Sequence, residues 1–107
     1  MHYIFEVHID PDADYTAEDY ADAWVRASRH IQQAPGAQGT RLHRKIGDPN
    51  VLLAIATWAS KGARDAMESH PPAEVARIIA EQAPYVRINF IGEFDAPAWE
   101  VIPPAGD

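Results

Sequence analysis

His8 is the side chain in this sequence that is best suited to proton transfer. Its reference pKa of about 6.5 would let the imidazole act as a base on a phenol. Arg87 or Asn89 would then stabilise the resulting anion. The alternative is a structural histidine, which pairs with Glu6, Arg87 or Asn89 on a sheet face or lies at a dimer contact. Such a role is more common for a single histidine in a strand, and both interpretations stay open.

A second group of residues can bind a flat aromatic molecule. Trp58 can stack on such a molecule, and Tyr20, Trp24 and Met67 fall on the inward stripes of predicted helices, where they would line a ligand pocket. Core packing between helices and sheet explains the same pattern. His70 follows a helix and precedes two prolines, so it is either a base at a cavity rim or a surface histidine at a helix C-terminus.

Metal chemistry is not expected. A divalent site needs three or four converging ligands, and no element contains a His-x-His or His-x-x-x-His pair. There is no cysteine, which excludes thiolate ligands, disulfides and cysteine nucleophiles. The acidic stretch around residues 10–22 lacks the glycine and the ligand spacing of a calcium loop. We therefore expect neither a metal nor another cofactor.

Composition limits the partners. The chain has 107 residues, with 9 basic and 16 acidic side chains and a net charge of −7. The acidic balance argues against nucleic acid and anionic membranes as partners. No apolar run approaches the roughly 20 residues of a membrane span, and the N-terminus has no signal-peptide pattern. We expect a soluble, cytoplasmic protein.

Apolar periodicity and turn residues predict seven elements. Strands are expected at 3–9, 39–46, 51–58 and 85–94, with helices after Thr16, Ser60 and Pro72, and a turn at residues 47–50. This order predicts an α+β, ferredoxin-like domain over residues 1–94, a four-stranded antiparallel sheet with helices on one face. Residues 95–107 form a proline-rich C-terminal extension.

Two finer predictions concern side-chain direction. The third helix is expected to bury the stripe Val75, Ala76, Ile79 and Ala83. Simple alternation in the last strand places Val86, Ile88, Phe90 and Phe94 on one face, and Tyr85, Arg87, Asn89, Ile91 and Glu93 on the other.

The segment 51–58, Val-Leu-Leu-Ala-Ile-Ala-Thr-Trp, is apolar on both alternating faces. A strand of this kind needs cover on both sides of its sheet, and the helices are too few to supply it. A homodimer with two sheets packed face to face provides that cover. Trp99, Val101 and Ile102 are too apolar for a solvated tail, so the extension is expected to lie across another surface, for example that of the partner subunit.

Short motifs agree with this architecture. Pro35-Gly36-x-x-Gly39 enters the second strand, Trp58-x-Ser60-x-x-Ala63 connects the third strand to a helix, and Ser69-His70 ends that helix. Over roughly residues 3–94 the chain resembles the antibiotic biosynthesis monooxygenase-like proteins of the dimeric α+β barrel superfamily. The resemblance implies a homodimer with an apolar pocket between sheet and helices, in a family that includes cofactor-free monooxygenases of polycyclic phenols or quinols and haem-degrading enzymes.

The haem-degrading branch is a poor match. Its strand-one asparagine, helix-two tryptophan and following histidine fall here on residues 6–8, near Met67 and on residues 75–77, where none of the three is present. We therefore do not expect haem.

Three functions remain open. The first is a cofactor-independent monooxygenase for an aromatic or phenolic molecule, with His8 as the base. The second is a non-catalytic dimeric module that binds a small apolar ligand or supports a partner. The third is an isomerase or lyase that uses Glu6 and His8 as an acid–base pair.

Overall fold

The computed structural model describes residues 1–106; Asp107, the last residue of the predicted extension, lies outside the described residues. The elements are β1 His2–Ile9, α1 Ala17–Ile31, β2 Ala37–Lys45, β3 Asp48–Trp58, α2 Lys61–Ser69, α3 Ala73–Gln82, a 3₁₀ turn Ala83–Tyr85, and β4 Val86–Phe94. This is the predicted order.

The four strands form one antiparallel sheet in the order β2-β3-β1-β4. The three helices pack on one of its faces, so the predicted ferredoxin-like α+β fold is confirmed. The two central strands, β1 and β3, contain most of the buried sheet residues. We call the helix-side face the covered face and the opposite one the open face.

Side-chain caps define the beginning of two helices. The Thr16 hydroxyl accepts from the Asp19 amide while the Asp19 carboxylate accepts from the Thr16 amide, which is a capping box. The Ser60 hydroxyl accepts from the Ala63 amide at the start of α2. The sequence predicts that helices begin after these two residues, and this is confirmed. Helix α1 ends at Ile31, earlier than the predicted stop at Pro35-Gly36.

Gly36 holds the loop after α1 close to α2. Its φ of +86° favours glycine, and a Cβ at this position would lie 2.6 Å from the Cβ of Ala63. The Gly36 carbonyl also accepts from the Ala59 amide at 2.8 Å. The glycine and the alanine of the two sequence motifs therefore meet in space, and this contact sets how closely α2 approaches the sheet edge.

The hairpin between β2 and β3 differs from the prediction. Lys45 pairs with Asp48, so the turn consists of Ile46 and Gly47 alone. Arg44 pairs with Leu52, and residues 49–51 therefore bulge out of the regular register. A bulge tolerates Pro49 inside a strand because no ladder N–H is required there.

A bulge in β4 also overturns part of the predicted alternation. Phe5 pairs with Phe90 and Ile4 pairs with Gly92, which leaves Ile91 as the extra residue. After Ile91, each residue of β4 lies on the face opposite to the one that simple alternation predicts, because an inserted residue shifts the period-two pattern by one. Tyr3 then pairs with Glu93, and His2 pairs with Phe94. Glu93 is thus on the covered side and Phe94 on the open side, the reverse of the prediction.

The core lies between the covered face and the helices. Val7, Ala54 and Trp58 are at most 2% exposed, and α1 buries Tyr20, Ala23 and Ala27. On α3 the predicted stripe is confirmed only at Val75: Val75 and Ile78 are buried, whereas the predicted Ala76, Ile79 and Ala83 are exposed, Ile79 by 59%. The helix is rotated so that Ile78, three residues after Val75, faces α1.

Residues 95–106 contain no regular secondary structure. Trp99 and Val101 are almost fully exposed, and Ile102 is largely exposed. The extension therefore does not pack on its own subunit, and its contact with a partner stays a prediction. Within residues 1–106, no helix has both the length and the apolar character needed to cross a bilayer.

Candidate functional site

A cavity of about 460 Å³ lies between the covered face of the sheet and the three helices. Its size is within the range of small-molecule sites in proteins. All three helices and strands of the sheet contribute side chains to its wall. Most of this wall is aliphatic or aromatic, so the cavity suits an apolar molecule of modest size.

Four of the five predicted ligand-binding residues line this cavity: Tyr20, Trp24, Met67 and Trp58. Trp58 is also one of the most buried side chains of the core, at 2% exposure. The two interpretations of Trp58, cavity wall and core residue, are therefore both correct in geometric terms. Whether these four side chains bind a ligand stays a prediction.

Tyr3 and Phe5 of β1 form an aromatic floor of the cavity toward β4. The rings of Tyr3 and Phe90 stack with centroids 4.9 Å apart, and Phe5 meets Tyr3 edge-on at 6.1 Å. Phe90 is 52% exposed, because β4 lies at the sheet edge where the helices leave it partly uncovered. A flat ligand can extend this stack, since offset and edge-on packing between rings is favourable.

The charged residues of the cavity wall come from α2. The guanidinium of Arg64 lies 3.8 Å above the centre of the Tyr3 ring and donates through Nη1 to the Glu68 carboxylate. The Arg64 side chain is only 12% exposed, whereas that of Glu68 is 60% exposed. Nearby, the Nζ of Lys61 pairs with Asp65 and Glu93, and these hydrogen bonds raise the pKa of Lys61.

Sequence reasoning did not single out Arg64 or Glu68. A signal was available, because Met67 was placed on the inner side of α2, and residues three apart on a helix share a face. Arg64 lies three residues before Met67, and Glu68 is four residues after Arg64. Neither was predicted to line the cavity, because charged residues usually lie on the solvated side of an amphipathic helix.

Tyr20 presents a hydroxyl in the wall of the cavity. Burial raises the pKa of this phenol to about 12, so it stays protonated at neutral pH. A protonated phenol at this position cannot act as a base. Among the described residues of the cavity wall there is no histidine, and the carboxylate is that of Glu68.

The three predicted catalytic residues lie elsewhere. His8 pairs with Val51 and Arg87 across the two neighbouring strands, and Asn89 pairs with Glu6. These side chains are on the open face, because neighbours along a strand point to opposite sides and Val7 faces the helices. The sheet itself separates His8, Arg87 and Asn89 from the cavity. The geometry does not support the prediction that His8 acts as a base on a ligand bound between sheet and helices.

His8 forms part of a polar group that we call the open-face cluster, comprising Glu6, His8 and Asn89. The Nε2 of His8 lies 3.3 Å from Oε1 of Glu6, and Nδ2 of Asn89 donates to the same oxygen at 2.9 Å. These hydrogen bonds, that from Asn89 first, lower the pKa of the Glu6 carboxyl. The arrangement is that of the structural histidine considered as the alternative.

His70 is also outside the cavity. It follows the last residue of α2, is exposed, and borders a separate depression together with His30 and Pro72. The next residue, Pro71, lines the cavity, whereas His70 does not. Within residues 1–106, no three histidine, aspartate or glutamate side chains come together as metal ligands would.

The sheet order, the helices on one face and the aromatic cavity between them define a class of small α+β proteins with room for an apolar ligand. The chain belongs to the antibiotic biosynthesis monooxygenase family, whose model matches residues 2–77. No functionally curated protein matches its sequence.

Solved structures share the fold at low sequence identity. SnoaB from Streptomyces nogalater, a cofactor-independent oxygenase, is 11% identical with a TM-score of 0.69, and the match covers 92% of this chain and 96% of that one. A candidate antibiotic biosynthesis monooxygenase from Deinococcus radiodurans is 13% identical with a TM-score of 0.66, covering 94% and 100%. A conserved protein from Methanosarcina mazei is 11% identical with a TM-score of 0.65, covering 82% and 86%.

Proposed function

We propose that this protein is a cofactor-independent oxygenase that oxidises a flat hydroxyarene in the cavity between sheet and helices. The observation that carries the proposal is the cavity wall itself, in which Tyr3, Trp24 and Trp58 surround an apolar space in a member of a monooxygenase family. The fold it shares with SnoaB, a cofactor-independent oxygenase, supports the same reaction class.

The reaction needs only the aromatic substrate and dioxygen. Loss of the hydroxyl proton makes the ring electron-rich, and the anion transfers electrons to dioxygen. In the overall reaction a hydroxyarene and O₂ give a quinone and water, so the ring is oxidised, one oxygen atom enters the product and the other is reduced to water. The protein contributes orientation of the ring, exclusion of water and stabilisation of the anion.

Oxygen uptake tests the proposal directly. The purified protein is incubated with a panel of dihydroxynaphthalenes and anthrones in an oxygen electrode, and the quinone product is followed by its absorbance. We expect uptake above the rate in buffer alone, with one O₂ consumed for each quinone formed. If no member of the panel is consumed faster than in buffer, the oxygenase proposal is wrong.

A second candidate is a non-catalytic module that binds an apolar ligand in the same cavity. One feature of the cavity wall favours this non-catalytic function. Tyr20 is held protonated and Glu68 is paired with Arg64, so the wall offers only weak bases to take a proton from a ligand. This function predicts that the same aromatic compounds raise the melting temperature of the protein while no oxygen is consumed.

For the assembly we propose a homodimer in which two open faces pack on each other. Ile4, Leu53 and Ile55 are only partly buried on this face, and an apolar patch of this kind marks an interface. Sedimentation velocity at micromolar concentration should give a dimer. Ile55→Asp should yield monomers, whereas Val25→Asp, on the outer side of α1, should not. A wild-type monomer at that concentration would contradict the proposal.

A further inference from the structure

We propose that Arg64 makes the cavity selective for the ionised form of its aromatic ligand, so that a hydroxyarene binds as its phenolate. The proposal rests on the proposed function only in placing an aromatic ligand in this cavity. It assigns a specificity-determining role to a residue of α2, and it concerns binding rather than turnover.

The first support is the position of the charge. Arg64 is the one cation among the described residues of the cavity wall, and its side chain is 12% exposed. A charge held among apolar groups interacts more strongly with a ligand than one in water, because the surroundings screen it less. A phenolate oxygen within reach of Arg64 is therefore favoured over a neutral hydroxyl.

The second support is the orientation of the guanidinium. Its carbon lies 3.8 Å from the centre of the Tyr3 ring, which fixes the group against the aromatic floor. Tyr3 in turn stacks on Phe90. Guanidinium N–H bonds lie in the plane of the group, so stacking on a ring leaves them available at the edge. A ligand that lies in the cavity beside Arg64 can bring its oxygen close to these donors.

The third support is the nature of the present partner of Arg64. Glu68 is 60% exposed and belongs to the same helix, four residues further along. An ion pair of this kind contributes little free energy, and the carboxylate is already partly hydrated. Glu68 can turn fully into water when a ligand anion takes its place. It therefore acts as a competitor of the ligand, and removing its charge should strengthen anion binding.

The other charges near Arg64 do not supply this selectivity. Lys61 is engaged by Asp65 and Glu93, and its side chain is 64% exposed. Tyr20 has its pKa raised to about 12 and stays neutral. A preference for an anion in this cavity thus depends on Arg64, opposed by Glu68.

The test uses 4-nitro-1-naphthol, whose phenolate absorbs in the visible range, and its methyl ether as a neutral ligand of similar shape. At the pH where the free naphthol is half ionised, excess wild-type protein should shift the bound compound toward the phenolate, corresponding to about a tenfold preference. Arg64→Met should abolish this preference while the methyl ether binds as before. Glu68→Gln should increase it.

Arg77→Met is the matched control, because Arg77 is also an ion-paired helix arginine but does not line the cavity. It should leave the preference unchanged. Circular dichroism and melting curves verify folding, and if Arg64→Met does not fold, Arg64→Lys should retain part of the preference. The inference is overturned if bound and free naphthol are equally ionised, if the Arg64 variants keep the full preference, or if neither compound binds.

The outcome is separable from that of the oxygenase proposal. A phenolate preference without oxygen uptake retains the role of Arg64 and removes the catalytic function. Oxygen uptake without a phenolate preference retains the catalytic function and overturns the role of Arg64.

Discussion

The two faces of the sheet use the same strands for different purposes. On the covered face, β1 contributes Tyr3 and Phe5 to an aromatic cavity, with the partly buried Arg64 above the Tyr3 ring. On the open face, the same strand contributes Glu6 and His8 to a hydrogen-bonded cluster surrounded by partly exposed aliphatic side chains. The group with the most suggestive chemistry, a histidine beside a carboxylate, is therefore not in the space that best fits a ligand.

The largest effect should come from filling the cavity. Ala56→Phe places a ring inside it, since Ala56 belongs to the wall, and should reduce oxygen uptake with a hydroxyarene by about 100-fold. The matched control is Thr57→Phe on the open face, one residue further along β3, where Thr57 pairs with His2. It should retain most of the activity. Equal losses of oxygen uptake in the two variants would contradict the claim that only the covered face binds the substrate.

Removing the tryptophan of the covered face should have the largest effect on stability. Trp58→Ala deletes a side chain that is 2% exposed and should lower the free energy of unfolding by about 3–5 kcal/mol. Trp99→Ala, in the C-terminal extension where the side chain is 93% exposed, should change it by less than about 0.5 kcal/mol in the monomer. Urea unfolding measures both. A larger loss for Trp99 would instead show that the extension packs in a dimer.

Removing the histidine of the open face should have little effect on the cavity. His8→Ala should leave the affinity for an aromatic ligand and the rate of oxygen uptake within about twofold of the wild type, because the sheet lies between them. Its effect should be on dimer stability, measured by dilution in sedimentation experiments. Complete loss of oxygen uptake in a variant that still folds would place the reaction on the open face.

The smallest effect concerns the pH dependence of stability. Hydrogen bonds from Asn89 and His8 lower the pKa of Glu6 in the folded protein below its ordinary value of 4.5. The contribution of Glu6 to stability is therefore present above that value and is lost as the pH falls through the lower folded pKa. Urea midpoints from about pH 6 to about pH 3 should fall less steeply for Glu6→Gln than for the wild type. Parallel curves would show that the open-face cluster does not stabilise the fold.

Much of this architecture was predictable, because it follows from local rules. Thr16 and Ser60 have the residue types of N-caps, and the apolar stripes of α1 and the central strands identify the buried faces. The bulges were not predictable: one extra residue at Ile91 moves Glu93 and Phe94 to the opposite faces, and no single residue type signals it.

The cavity-lining residues were only half predictable, for a related reason. Aromatic stripes pointed to Trp58, Trp24 and Tyr20, but the sheet face of His8 depends on register and on which side the helices pack. Arg64 was missed because a charged helix residue is normally assigned to solvent. Its partial burial results from a tertiary contact with the Tyr3 ring, which sequence spacing does not reveal.

A crystal structure grown in the presence of 4-nitro-1-naphthol tests most directly whether the ligand site is the cavity of the covered face. The account predicts density for the naphthol ring between Trp58 and the Tyr3–Phe90 stack, with its oxygen within hydrogen-bond distance of Arg64. Density against His8 and Asn89 on the open face, with an empty cavity, would contradict it.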